Sequence, residues 1–127
     1  LRAARNGARG RVFAIVEPHR YTRVRDLFDD FAACFKDADG VIVTPLYSAG
    51  EAPIDGVSHL TLADAIRGTG HRGVATVSSE HELAPILRQI ASSGDMVVCL
   101  GAGNSTEWAH ALPDWLAREP MRAGGAA

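Results

Sequence analysis

The stretch Arg11-Val12-Phe13-Ala14-Ile15-Val16-Glu17-Pro18-His19-Arg20-Tyr21-Thr22-Arg23 carries the reading of the fold. Its first part, Arg11–Val16, is an apolar run without polar alternation, as expected of a strand buried on both faces of a parallel sheet. Its second part crowds a proline, a histidine, a tyrosine and two arginines into a turn. A helix follows, marked by Val24, Leu27, Phe28, Phe31, Phe35 and Ala38, which recur at steps of three and four and form one apolar stripe. A strand feeding a helix through a short polar turn is the repeating unit of α/β folds.

Three further apolar runs, Val41–Leu46, Val74–Val77 and Met96–Leu100, predict three more buried strands. Between them, Thr61-Leu62-Ala63-Asp64 reads as a capping box that opens a short helix through Arg67. A third helix carries Leu83, Ile86, Leu87 and Ile90 on one side. Ser79 and Glu82 could cap it, but Pro85 would then lie inside and cost a backbone bond, so regular helix is expected from about Pro85. A fourth, from about Asn104, carries Trp108, Ala111, Leu112 and Trp115, and Pro113 is expected to bend or end its first part. This alternation predicts an α/β domain: a doubly wound, mostly parallel Rossmann-like sheet with helices on both faces. Ligands of such sheets bind at the carboxyl ends of the strands, where the loops 17–23, 47–58 and 101–104 belong.

At 127 residues the chain fits one domain, 1–127, with enough core to stand without disulfides or metal staples. Leu1-Arg2-Ala3-Ala4-Arg5 reads as the last turn of a helix stopped by Asn6-Gly7, as in a domain truncated on its amino-terminal side. Residues 121–127 read as a flexible tail. The formal net charge of −2 gives no global attraction to nucleic acid or acidic membranes. No apolar stretch approaches the ~18 residues needed to span a bilayer. Cys34 and Cys99 lie in apolar runs and are expected to be buried thiols, which suits a reducing cytoplasm.

The turn 17–23 is the strongest candidate site. With Thr22 as N-cap, Arg20 and Arg23 would flank the positive end of a helix dipole, an unfavourable arrangement unless an anion arrives. A carboxylate or phosphate would take up the free N–H groups and the guanidinium hydrogen bonds together. His19, Tyr21 and Thr22 would support that loop. A second candidate is Gly101-Ala102-Gly103-Asn104-Ser105, where two glycines let backbone approach a ligand and Asn104 or Ser105 can cap the next helix. Glu51 and Asp55 could meet a cation or an amine, although solvated loop carboxylates are more common. His59, His71, His81 and His110 are scattered without metal-ligand spacing, and no metal site is assigned.

Several chemistries are excluded. Lys36 is the sole lysine and lies in a helix, and there is no G-x-x-x-x-G-K-[ST], so no P-loop exists. Thr106 stands where a dinucleotide fingerprint needs its third glycine, which argues against an oxidoreductase. No serine or cysteine has a nearby base, and no carboxylate pair is suggested at catalytic spacing. The chain reads as one that binds, with no catalytic residue of its own.

The segment Glu17–Phe31 (EPHRYTRVRDLFDDF), with Leu46–Val57 (LYSAGEAPIDGV) and Leu100–Asn104 (LGAGN), resembles the carboxy-terminal domain of the Mur ligase family, in the branch that adds L-alanine. The resemblance runs from Arg11 to Leu116. It implies a three-domain, ATP-dependent, amide-forming ligase of peptidoglycan synthesis, with UDP-N-acetylmuramate, ATP and Mg2+ handled by domains other than this one. ATP would phosphorylate the lactyl carboxylate, and the amine of L-alanine would attack the acyl phosphate. The resemblance places Arg20 and Arg23 near the amino-acid carboxylate, with His19 and Tyr21 shaping the loop and Asn104 and Ser105 facing the same cleft. It further implies an additional first strand, with an Asp-Asp-Tyr and a His-His-Pro segment, that would precede Leu1. Without that strand the pocket would be incomplete, the fragment inactive and unable to bind cofactor tightly, and self-association through an uncovered sheet edge a risk. The competing reading is a stand-alone anion-sensing or protein-interaction α/β module.

Overall fold

Val12–Val16 forms the first strand, β1, and every one of its residues is buried. The computed structural model describes residues 2–7, 9–101 and 103–117. A short helix α1 (Arg2–Gly7) precedes β1. The chain continues through α2 (Tyr21–Asp26), α3 (Phe28–Ala33), β2 (Gly40–Val43), α4 (His59–Gly68), β3 (Val74–Thr76), α5 (Leu83–Ile90), β4 (Met96–Leu100) and α6 (Ser105–Ala117). All pairings are parallel and the strand order is β3-β2-β1-β4. The predicted doubly wound α/β sheet is therefore present, with β1 inside it. The expected tail, 121–127, lies outside the described residues.

Alternation within the apolar run of β1 separates two cores. Ala14 and Val16 join Val41 and Val43 of β2 against Ala32, Phe35, Leu62 and Ile66 on one face. Phe13 and Ile15 join Ile42 against Leu83, Leu87, Trp108 and Leu112 on the other. One strand thus needs apolar side chains at every position because helices cover both of its faces. β4, an edge strand, is only half-buried throughout.

Several local expectations are corrected. The stripe from Val24 to Ala38 is broken twice: Leu27 leaves helical geometry (φ −113°, ψ 20°) and is exposed, which separates α2 from α3, and α3 ends at Ala33, so Phe35 and Ala38 lie beyond it. The second strand is shorter than Val41–Leu46, ending at Val43. The capping box belongs to Ser58, whose hydroxyl accepts from Thr61 N–H while Thr61 returns a bond to the Ser58 N–H. Thr61 is therefore inside α4 and does not open it. α5 starts at Leu83, after a 3-10 turn at Glu80–Glu82, so Pro85 occupies its first turn, where an N–H has no intrahelical partner to lose. α6 continues through Pro113. Cys34 is exposed and Cys99 half-buried, not fully buried as expected, and partial desolvation raises both thiols above their ordinary pKa.

Ile15 is 0% exposed between β2 and β4. Ile15→Ala is expected to lose about 2–5 kcal/mol of unfolding free energy in a denaturant titration, with an unchanged m-value.

Candidate functional site

The chain leaves β1 for β2 on one side and returns with β4 on the other. The switch point therefore lies at the carboxyl ends of β1 and β4, where doubly wound sheets place their ligands. Glu17, the first residue after β1, joins the two loops there. It is 4% exposed, and its backbone N–H donates to Leu100 O at 2.9 Å. Its Oε1 accepts the Asn104 backbone N–H at 2.7 Å and its Oε2 the Asn104 side-chain amide at 3.1 Å. A Cβ on Gly103 would lie 2.9 Å from Glu17 Oε1 and 3.0 Å from the Tyr47 ring, and one on Gly101 only 2.9 Å from Glu17 O. The close approach that these glycines permit is to the chain's own Glu17 and Tyr47. Ser105, also buried, donates its hydroxyl to Gly101 O at 2.8 Å. Gly101, Gly103, Asn104 and Ser105 thus form the joint between the β1 and β4 loops.

The arginine turn is built differently from the expectation. α2 starts at Tyr21, so Arg20 holds the N-cap position and Thr22 lies within the helix. Glu51, from the loop after β2, takes the place that an external anion was expected to fill. Its Oε1 accepts the Thr22 N–H at 3.0 Å and its Oε2 the Thr22 hydroxyl at 2.8 Å. Those bonds, the backbone one first, outweigh desolvation, and with help from the Arg20 charge they hold the Glu51 carboxyl below its ordinary pKa. Because the folded value is the lower one, this contribution to stability is complete above the ordinary carboxylate range. It is lost as pH falls through the lowered value.

Arg20 has φ 67° and ψ 130°, a left-handed backbone that L side chains rarely adopt. Its N–H donates to Tyr47 O at 2.7 Å and its carbonyl accepts from Val24 N at 3.1 Å. His19 pairs with Tyr47 in an isolated parallel bridge, and the two rings stack at 5.2 Å with only 7° between their planes. Strain of this kind costs about 1–3 kcal/mol and persists where surroundings over-determine it, commonly at ligand sites. Arg20 and Arg23 are both exposed, and neither guanidinium has a hydrogen bond or ion pair among the described residues. Arg25, by contrast, pairs with Asp26 at 3.0 Å as a surface residue. The predicted loops therefore converge, with Arg20 and Arg23 exposed and His19, Tyr21 and Thr22 half-buried. Tyr47 is not singled out by sequence; Glu17 reads there only as the start of the turn, and Glu51 only as a carboxylate that could meet a cation or an amine. The place of Glu17 at a strand end is a signal that could have found its role; nothing local marks the partners of the other two.

Other features stand apart. A groove of about 320 Å³ between β3 and α5, lined by Thr76, His81, Glu82, Ile86 and Gln89 among others, contains none of these residues. His71 bonds to Ala38 O at 2.7 Å, a structural use. Among the described residues, no group of three His, Cys, Asp or Glu side chains could hold a metal ion. No helix there is long and apolar enough to cross a membrane.

The fold is that of a doubly wound α/β domain, and its switch point carries two exposed arginines whose guanidiniums have no partner among the described residues. More particularly, residues 1–103 match the family model "Mur ligase, glutamate ligase domain", and the chain belongs to that family. It is 58% identical over 119 residues to a UDP-N-acetylmuramate–L-alanine ligase of Brucella anthropi, covering 94% of this chain and 25% of that protein. A ligase of the same name from Mesorhizobium japonicum is 56% identical over 117 residues, covering 92% and 25%. The chain thus spans about a quarter of the length of these relatives. Among solved structures, the UDP-N-acetylmuramate-alanine ligase of Thermotoga maritima shares the fold, with a TM-score of 0.60, 21% identity, and coverage of 82% of this chain and 20% of that one.

The Glu17 joint gives a measurable expectation. Glu17→Ala leaves the half-buried Asn104 N–H without its acceptor and is expected to cost about 1–3 kcal/mol in thermal or denaturant unfolding. Glu17→Gln keeps an acceptor and is expected to cost less.

Proposed function

We propose that this chain is the amino-acid-binding carboxy-terminal domain of an ATP-dependent ligase that joins L-alanine to UDP-N-acetylmuramate in peptidoglycan synthesis. Arg20 and Arg23 receive the carboxylate of L-alanine. The single observation that carries the reading is the arginine turn: two guanidiniums three residues apart, without protein partners among the described residues, at the switch point of the sheet. Guanidinium groups match carboxylates in a bidentate fork, and holding the carboxylate end directs the amine toward an acyl group presented from outside this domain. The names of the relatives support the choice of amino acid and acceptor.

ATP and Mg2+ find no fitting donor set here. The chain has no P-loop, its sole lysine is the exposed Lys36, and no acidic cluster among the described residues suits a metal. In this reading those groups, and UDP-N-acetylmuramate, are held by other domains of the ligase, which would act in the cytoplasm. Residues 1–127 serve as one domain, inactive alone.

Arg23→Ala in the full-length ligase is expected to lower kcat/KM for L-alanine by about tenfold or more, since a hydrogen bond to a charged group is worth about 1.5–3 kcal/mol. An unchanged KM for L-alanine would remove the carboxylate role. Calorimetry on the 127-residue chain with L-alanine, phosphate or ATP is expected to show binding too weak to fit. A well-fitted isotherm would favour a stand-alone anion-sensing module instead.

A further inference from the structure

Thr22 lies between the two arginines, and both of its polar groups are taken by Glu51, 29 residues further along the chain. We propose that Glu51 is a positioning residue of the amino-acid site, fixing the Arg20–Arg23 turn in its carboxylate-receiving form by capping α2 from the loop after β2. The proposal rests on the carboxylate role given above to the arginines. It deepens that role by naming what holds them in place.

Three observations converge on it. First, α2 has only six residues, no side-chain cap of its own and no acidic residue in its first turn. A segment so short does not hold its shape unaided. Second, the same loop grips the turn at both ends. Tyr47 takes the Arg20 N–H and stacks on His19 upstream, while Glu51 takes Thr22 downstream. Between these grips the loop reverses through Ala49 (φ 53°) and Gly50 (φ 86°), closed by the Glu51 N–H to Ser48 O bond at 3.0 Å. Third, Arg20 is left in a strained backbone conformation that would relax if either grip were released. With Glu51 on the Thr22 N–H, that donor is not what meets the substrate, and recognition falls on the guanidiniums.

A rival role for the same carboxylate makes the opposite prediction. If Glu51 were chiefly a counter-charge that screens Arg20, its removal would strengthen anion binding. If it positions the turn, its removal weakens binding.

The test uses the full-length ligase with Glu51→Ala, Glu51→Gln and Thr22→Val, alongside Arg23→Ala. Glu51→Ala is expected to raise KM for L-alanine roughly tenfold while KM for ATP and for UDP-N-acetylmuramate stays within about twofold. Thr22→Val, which keeps the backbone bond and loses the hydroxyl one, is expected to raise it less. Glu51→Gln, whose amide oxygen still accepts the Thr22 N–H, is expected to recover most of the loss. In the 127-residue chain, the Thr22 amide of Glu51→Ala is expected to exchange its hydrogen at least tenfold faster, with the β1 amides unchanged. A lowered or unchanged KM for L-alanine in Glu51→Ala, with Arg23→Ala still impaired, overturns the positioning role and leaves the arginine clamp standing. Unchanged Thr22 exchange overturns it as well. If Arg23→Ala is also unimpaired, the clamp itself fails, and this proposal fails with it.

Discussion

β1 is flanked on both sides by parallel strands, and the layout of the whole domain depends on that placement. Val16, its last residue, pairs with Val43 of β2 and Leu100 of β4, so three loops leave the sheet at one level. Because the chain builds β2 and β3 to one side and then crosses to β4 on the other, the topological switch point of the sheet falls there. The apolar run that places β1 inside the sheet is therefore also what places the arginine turn at the switch point. Fold and site have one cause.

The loops at the switch point are organised by the chain's own carboxylates. Glu17 binds the Asn104 N–H just before α6, and Glu51 binds the Thr22 N–H in the first turn of α2. A helix start is a favourable place for negative charge, and here two glutamates use it to fasten loops together. Glu17 links positions 87 residues apart and Glu51 positions 29 apart, so each restrains a loop that local sequence leaves free. In the proposed reading this gives a division of labour: the Thr22 and Asn104 N–H groups are spent on holding the loops, and an incoming carboxylate is left to guanidinium groups, whose planar forks read it with more geometric selectivity than a helix end does.

Legibility from sequence varied with the range of the forces involved. The four strands were readable because burial on both faces demands unbroken apolar runs. Helix boundaries were less so. The stripe from Val24 to Ala38 has faultless spacing, yet Leu27 breaks it, because spacing records which side faces the core and not whether each residue keeps helical dihedrals. Thr22 has the chemistry of an N-cap, but the first helical bond, from the Val24 N–H to Arg20 O, starts the helix two residues earlier than a cap at Thr22 would. Cys34 sits among apolar neighbours in the chain and still faces solvent.

Fold class, the order of elements and the two arginines that give the site its charge were all written in the sequence, since they come from periodicity and residue chemistry within short windows. How that charge is held was settled by the packed chain alone. Glu17 reaching Asn104, Tyr47 stacking on His19 and Glu51 capping α2 are contacts across crossovers, invisible until the strands are ordered. Packing also settled what the glycines at 101 and 103 are for. Composition suggested room for a ligand, whereas the adjacency of β1 and β4 fills that room with the chain's own side chains.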